Sequence, residues 1–207
     1  MTCRLPRGGR LIDRSAPVRW GIADSPAARE AVWRLRAEAV LERGWATPDE
    51  LPDGMERDDE DDRAVYIVGW DGEKLAATGR LIFPIPGVPL PTEKHFDVAA
   101  EPRGLVVNLD RMVVARSHSA RDHRLLKALL GQCWLETRAQ GFHLLLGVLT
   151  PAMIRLYQRI GWQVTVLGPP RLFWGEERLP VRFDPFTGLP GALNGAALPA
   201  AGERPGR

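Results

Sequence analysis

Only two cysteines occur in 207 residues, Cys3 and Cys133, far apart and without a Cys-x-x-Cys or a histidine at ligand spacing. A disulfide framework and a thiolate zinc site are thereby excluded. Long apolar runs are missing as well: no stretch approaches the roughly 20 residues that span a bilayer. The opening "MTCRLPRGGRLIDRSAPVRW" has no continuous apolar segment of the kind a signal peptide carries. The expectation is a cytoplasmic chain without a membrane span. Histidines 95, 118, 123 and 143 form no metal or triad pattern, and no GxSxG, Walker or dinucleotide fingerprint occurs. Nor does one sign of charge dominate. Against 28 Lys and Arg stand 26 Asp and Glu, a formal +2 that gives no argument for nucleic acid.

What is present suits one globular core: 44% of residues are hydrophobic and 7 are tryptophan. Residues 1–17 read as a flexible leading segment, 18–183 as a single domain, and the Gly/Ala/Pro-rich 184–207 as a tail. Charge is unevenly spread. Residues 49–62 are densely acidic, whereas Arg111, Arg116, Arg121, Arg124 and Lys127 make a later stretch basic.

Local signals order the elements. "VRWGIADS" reads as a short strand, and Ser25 followed by Pro26 starts a helix that Gly44 ends. Its apolar face is expected to carry Ala28, Val32, Leu35 and Ala39. "AVYIVGW", "DGEK" and "LAATGRLIF" form a hairpin. "PIPGVPLPTEKHF" is too rich in proline for a central strand and reads as a loop. "GLVVNLDRMVVAR" is a strand long enough to need a bend. "SARDHRLLKALLGQCWLETRAQG" is a helix with Leu125, Leu129 and Cys133 inward. "FHLLLGVLT" is a buried strand, "PAMIRLYQRIGW" a short helix, and the segment up to Asp184 two last strands. Strand, helix and strand at "NLDRMVV", "LLKALL" and "FHLLLGV" make a βαβ unit, so those two strands are parallel. The class is mixed α/β (α+β).

The acidic run "GMERDDEDD" allows two readings from its charge pattern: a solvated loop, or carboxylates that hold something cationic. Arg80 and Arg111 lie inside apolar strands, where an unpaired guanidinium is costly, so an ion pair or a site is expected there.

Strand "LVVNLDRMVV", its basic loop, the helix, strand "LLLGVLT" and helix "PAMIRLYQRIGW" resemble the second half of the GNAT acyltransferase fold. "LRAEAVLERGW", "GMERDDEDD", "TGRL", "KHF" and "NLDRMVV", in that order, resemble the acyl-homoserine-lactone synthase (autoinducer synthase) family over about residues 32–182. The resemblance implies a mixed central sheet with two splayed parallel strands flanked by helices. It further implies transfer of a fatty acyl group from acyl carrier protein to the amine of S-adenosylmethionine, with no tightly bound cofactor, in the service of autoinducer signalling. Acyl carrier protein is expected in preference to coenzyme A, because "RSHSARDH" has no glycine with which to cradle a pyrophosphate.

Carried over by position, Asp58, Asp61, Arg80, Arg111 and Asn108 are the catalytic candidates, and Arg36, Trp45 and Phe96 fall in the acceptor pocket. Asn108 occupies the place of the family's glutamate, which keeps two alternatives open: an N-acyl amino acid synthase with an amino-acid acceptor, and a catalytically silent binding module. The fold further implies backbone N–H groups near Met112 and Val113 for the oxyanion. Leu146, Val148, Met153 and Trp134 could line an acyl chamber, with ordinary core packing as the other reading. Arg116, Arg121, Arg124 and Lys127 would meet an acidic carrier protein.

Overall fold

The computed structural model describes residues 18–184 except 103 and 120–122. Both end segments, Cys3 and Arg121 therefore lie outside the described residues. Strand β1 (Arg19–Ile22) precedes helix α1 (Pro26–Glu42). The hairpin β2 (Val65–Asp71) and β3 (Lys74–Ile82) follows, then a one-turn-and-a-half helix α2 (Pro91–Phe96) and the long strand β4 (Val106–Val114). Helix α3 (Arg124–Ala139), β5 (Leu144–Leu149), α4 (Pro151–Arg159) and strands β6 (Gln163–Val166), β7 (Arg171–Phe173) and β8 (Glu176–Asp184) complete the chain.

Two expectations need correction. The proline-rich stretch is not all loop: Pro91 is a favourable first helical residue, and α2 forms where proline no longer blocks the turn. The closing segment holds three strands rather than two, because Trp174 and Gly175 both take positive φ and fold β7 back onto β8.

The strands join in the order β1-β2-β3-β4-β5-β8-β6, with β7 added to β8. Among the described residues only β4 and β5 pair in parallel, as the βαβ reading requires, and the other pairings are antiparallel. Strand alternation sends side chains to two cores. Ile67, Leu81, Leu109 and Leu145 pack under α3 and α4 with Leu129, Trp134, Tyr157 and Phe183. Tyr66, Val68, Ile82, Val106 and Leu146 pack under α1 around Val32. The buried face of α1 is Val32, Leu35, Arg36, Ala37 and Val40, one residue round from the apolar stripe read in the sequence. Its amphipathicity is weak because the stripe includes an arginine.

The sheet opens where the site will lie. β4 and β5 pair only from Val106–Leu144 to Asn108–Leu146, although each runs on for several residues. On its other side β4 carries a bulge against β3. Thr78 faces Val113 and Arg80 faces Asp110, so Arg111 and Met112 stand opposite Gly79 alone. Arg111 takes φ 49°, which bends the strand away. Gly79 allows a close approach here, since a Cβ would come within 3.1 Å of Cys133 Sγ and press on it. Among the described residues no helix is long and apolar enough to cross a membrane.

Candidate functional site

Helix α1 delivers the first site residues through its closure. Gly44 at φ 66° lets the Trp45 N–H reach the Val40 carbonyl at 2.9 Å and the Gly44 N–H reach Leu41 at 3.0 Å. This Schellman arrangement turns Trp45 back toward the sheet. One face of the same helix carries Arg36, which is 1% exposed.

The acidic run is folded into a cap. Asp58 accepts the Glu60 N–H at 3.0 Å, and Asp61 accepts the Asp58 N–H at 2.8 Å, so the three-residue spacing makes a reciprocal capping box on a 3-10 turn. Asp61 Oδ1 and both Asp58 oxygens face the sheet. Asp59 and Asp62 point to solvent, and Glu60 pairs with Arg63 and Lys94.

Arg80 stands at the centre. Its fork closes on Asp110, directly opposite on β4, with Nε–Oδ1 at 2.7 Å and Nη2–Oδ2 at 3.1 Å. Its Nη1 also donates to Asp58 at 2.5 Å and Asp61 at 2.6 Å. Arg36 donates to Asp61 at 2.8 Å and to Glu56, while its Nη2 is buried without a partner among the described residues. Arg111, turned by the bulge, reaches Asp58 at 2.9 Å and Glu56 at 3.1 Å. Four carboxylates thus meet three guanidinium groups, leaving one negative charge in excess.

Burial by itself would raise the Asp61 pKa, but hydrogen bonding and charge from Arg36, with the charge of Arg80, outweigh it and hold it at about 2. Asp58 is likewise lowered, burial being overcome by Arg80 and Arg111. Both groups are therefore permanent anions suited to holding a cation, not to taking a proton. Because the folded values lie below those of the unfolded chain, the stability they contribute is complete above about pH 4. It is lost as pH falls toward 2. Thermal melts should accordingly be level near neutrality and fall steeply below about pH 4. Asp61→Asn should melt lower at neutral pH with a shallower acid limb; parallel acid limbs would contradict this account.

The cluster forms one wall of a cavity of about 470 Å³ that continues into the opening between β4 and β5. Arg36, Trp45, Asp58, Arg80, Arg111, Met112, Val113, Val148 and Met153 all line it, so most of the candidate residues converge. Others do not. Asn108 is fully buried behind the wall: its side-chain oxygen accepts the Thr92 N–H at 3.0 Å and its amide donates to Asp110 at 3.1 Å. It positions Asp110, which a carboxylate could not do by donation. Phe96 is 2% exposed and packs on Phe173 and beneath Arg171, not on the cavity. Leu146 faces the α1 core, and Trp134 sits in the other core against Trp162. Arg116 pairs with Glu42 at 2.8 Å, and exposed Arg124 and half-buried Lys127 begin α3 beside the cavity's outer end.

Sequence reasoning misses Glu56, Asp110, Trp174 and Arg178, all on the cavity wall. Glu56 is hidden among neighbouring acids, and the pairing of Asp110 with Arg80 needs the strand register. His118 also lines the cavity and bonds Asp71 across the β2–β3 turn at 3.0 Å, so it is less open to solvent than its sequence context suggests.

No family model and no curated protein matches the chain by sequence. Solved structures do resemble it. TofI, in a ternary complex with an inhibitor and MTA, is 27% identical with a TM-score of 0.63, covering 80% of this chain and 91% of that one. BjaI, a CoA-dependent acyl-homoserine lactone synthase with SAM and isopentyl-CoA, is 25% identical with a TM-score of 0.66, covering 81% and 82%. A putative acetyltransferase of the GNAT family from Desulfovibrio desulfuricans has a TM-score of 0.54 at 17% identity, covering 81% and 98%, and bears on the fold alone. The chain has the GNAT fold, resembles the acyl-homoserine lactone synthases and is an acyltransferase.

Proposed function

We propose that this acyltransferase moves a fatty acyl group from an acyl carrier protein thioester to the amine of S-adenosylmethionine and closes the product to a lactone. The observation that carries the reading is an anionic cluster at a cavity that enters the opening between β4 and β5: Glu56, Asp58 and Asp110 line the wall, and Asp61 is buried behind them. The excess negative charge suits an acceptor bearing a sulfonium or ammonium. Asp58, partly open to solvent, holds the acceptor's cationic end, and the amine proton leaves through water at the mouth.

The acyl arm enters between β4 and β5, past Val148 and Met153. Pairing of β4 with β5 ends at Asn108–Leu146, so the backbone N–H groups of Arg111 and Met112, at the bulge beside that opening, are our candidates to take the thioester oxygen as it becomes an oxyanion. The acceptor nitrogen attacks the thioester carbonyl carbon, the carbon–sulfur bond breaks, and an amide and a thiol result. In the second step the acceptor's carboxylate oxygen attacks the carbon bearing the sulfonium, which leaves as methylthioadenosine. Both steps balance without a further reactant. Arg124 and Lys127, with Arg116, provide a basic rim for an acidic carrier.

Incubation with acyl carrier protein thioester and S-adenosylmethionine should release methylthioadenosine and acyl-homoserine lactone, at a rate above that with the matching coenzyme A ester. The replacement of the family glutamate by Asn108 favours a second reading, in which a free amino acid is acylated without lactone closure. That reading predicts N-acyl amino acid and no methylthioadenosine. Failure to form either product with either donor would leave a ligand-binding module.

A further inference from the structure

The cavity has two electrical ends. Its inner end is the anionic cluster; its mouth is cationic. There, guanidinium groups from three separate elements meet two tryptophans. Arg43, which closes α1, lies 4.7 Å from the Trp45 ring centre, and Arg178 on β8 lies 4.6 Å from the same centre. Arg111 lies 4.6 Å from the centre of Trp174, which meets Trp45 edge-on at 6.1 Å.

These cations are incompletely neutralised. Arg111 already engages Glu56 and Asp58, and Arg178 pairs with Glu176 at 2.8 Å. Arg43 has no carboxylate partner among the described residues, and Arg178 Nε is buried with no acceptor at all. Burial lowers the Arg178 pKa, Glu176 opposes that, and the charges of Arg43 and Arg111 add to the lowering, which is the signature of crowded positive charge. The backbone is committed to this arrangement. Trp174 is held at φ 54°, a conformation bulky residues seldom adopt, and Gly175 beside it stands 3.4 Å from Trp45 when a Cβ is placed on it.

We propose that Arg43 and Arg178, framing Trp45 at the cavity mouth, bind the carboxylate of a zwitterionic acceptor whose cationic end rests on the inner acids. This rests on the acyl-transfer reading above and assigns to Arg43 and Arg178 the carboxylate that S-adenosylmethionine and a free amino acid share. Guanidinium suits the task because its planar fork donates two bonds to one carboxylate. A simple amine or polyamine satisfies only the inner end and leaves the outer cations crowded. The pair therefore selects the acceptor class, and for a lactone product it also holds the oxygen that later closes the ring.

The test uses the full chain, with S-adenosylmethionine and its decarboxylated form as probes in calorimetric titrations. The wild type should prefer the carboxylate form by at least about tenfold for each guanidinium that binds it. In Arg43→Gln/Arg178→Gln that preference should vanish, with affinity for the decarboxylated form unchanged and a melting temperature near that of the wild type. In steady-state assays, the double variant should raise the acceptor KM and leave the donor KM alone. A retained preference for the carboxylate form overturns the proposal while leaving acyl transfer intact. A rise in donor KM alone overturns it differently, assigning the pair to the donor's phosphate. If the wild type binds neither probe nor any free amino acid, the acceptor reading itself fails and takes this inference with it. Should the double variant melt far lower, Arg43→Gln alone, at an exposed position, decides by the same ratio of affinities.

Discussion

Arg80→Met is expected to lower stability by about 3–5 kcal/mol and to abolish activity with it. Arg80 is 1% exposed and binds Asp58, Asp61 and Asp110 at once. Methionine fills much of the same volume, so the loss is electrostatic rather than a cavity. Removing the cation strands buried carboxylates that no longer have their central partner, and this costs far more than the pair ever contributed in net terms. For a domain of this size the melting temperature should fall by roughly 10 °C. The variant also carries a distinctive pH signature. Without Arg80, burial is left to raise the folded carboxylates above their unfolded values, so protonation relieves the variant and its gap to wild type should narrow as pH falls toward 4. Arg80→Lys should be intermediate, since an ammonium restores charge but cannot present a fork to Asp110. Melting curves from pH 7 to pH 4 decide the matter; a variant melting within about 2 °C of wild type would mean that the cluster is not what holds this end of the sheet.

Asp58→Asn should separate function from stability. The Asp58 side chain is 34% exposed, lines the cavity, and is one of four carboxylates around the site. Asparagine keeps its size and can still accept the Glu60 N–H, so the cap on the 3-10 turn survives. What disappears is the excess negative charge facing the acceptor. The acceptor kcat/KM should fall on the order of 100-fold, while stability changes by about 1 kcal/mol because the group is partly solvated. Asp62→Asn, on the exposed side of the same turn, should change neither. Equal effects at the two positions would return the acidic run to the status of a solvated loop.

The two predictions show how differently the site's parts can be read from residues alone. Asp58 and Asp61 stand out in the sequence only through the family resemblance; the capping box that their spacing makes is a finding of the structure. Ser25 before Pro26, Gly44 after α1 and the Asp71-Gly72 turn are legible directly, because caps and turns act over a few residues. Asn108 is visible only as a departure from a family pattern; its task of steering Asp110 depends on Thr92, brought beside it by α2. Phe96 has the sequence context of a pocket aromatic and is packing for Phe173, a partner 77 residues onward by the numbering.

Sequence by itself determined most of the elements, though not α2 or β7, together with the parallel βαβ unit and the resemblance to an acyltransferase, because caps, turns and alternation are short-range and the motifs keep their order. Tertiary structure alone decided which acids face which arginines, that the cavity is anionic within and cationic at its mouth, and that Trp174 and Arg178 belong to it. Those relations join residues tens of positions apart through strand register, a bulge and a two-residue turn. A shift of one residue in that register would send Arg80 or Asp110 to the opposite face of the sheet. No local pattern along the chain encodes that choice; the packing of both cores against the sheet does.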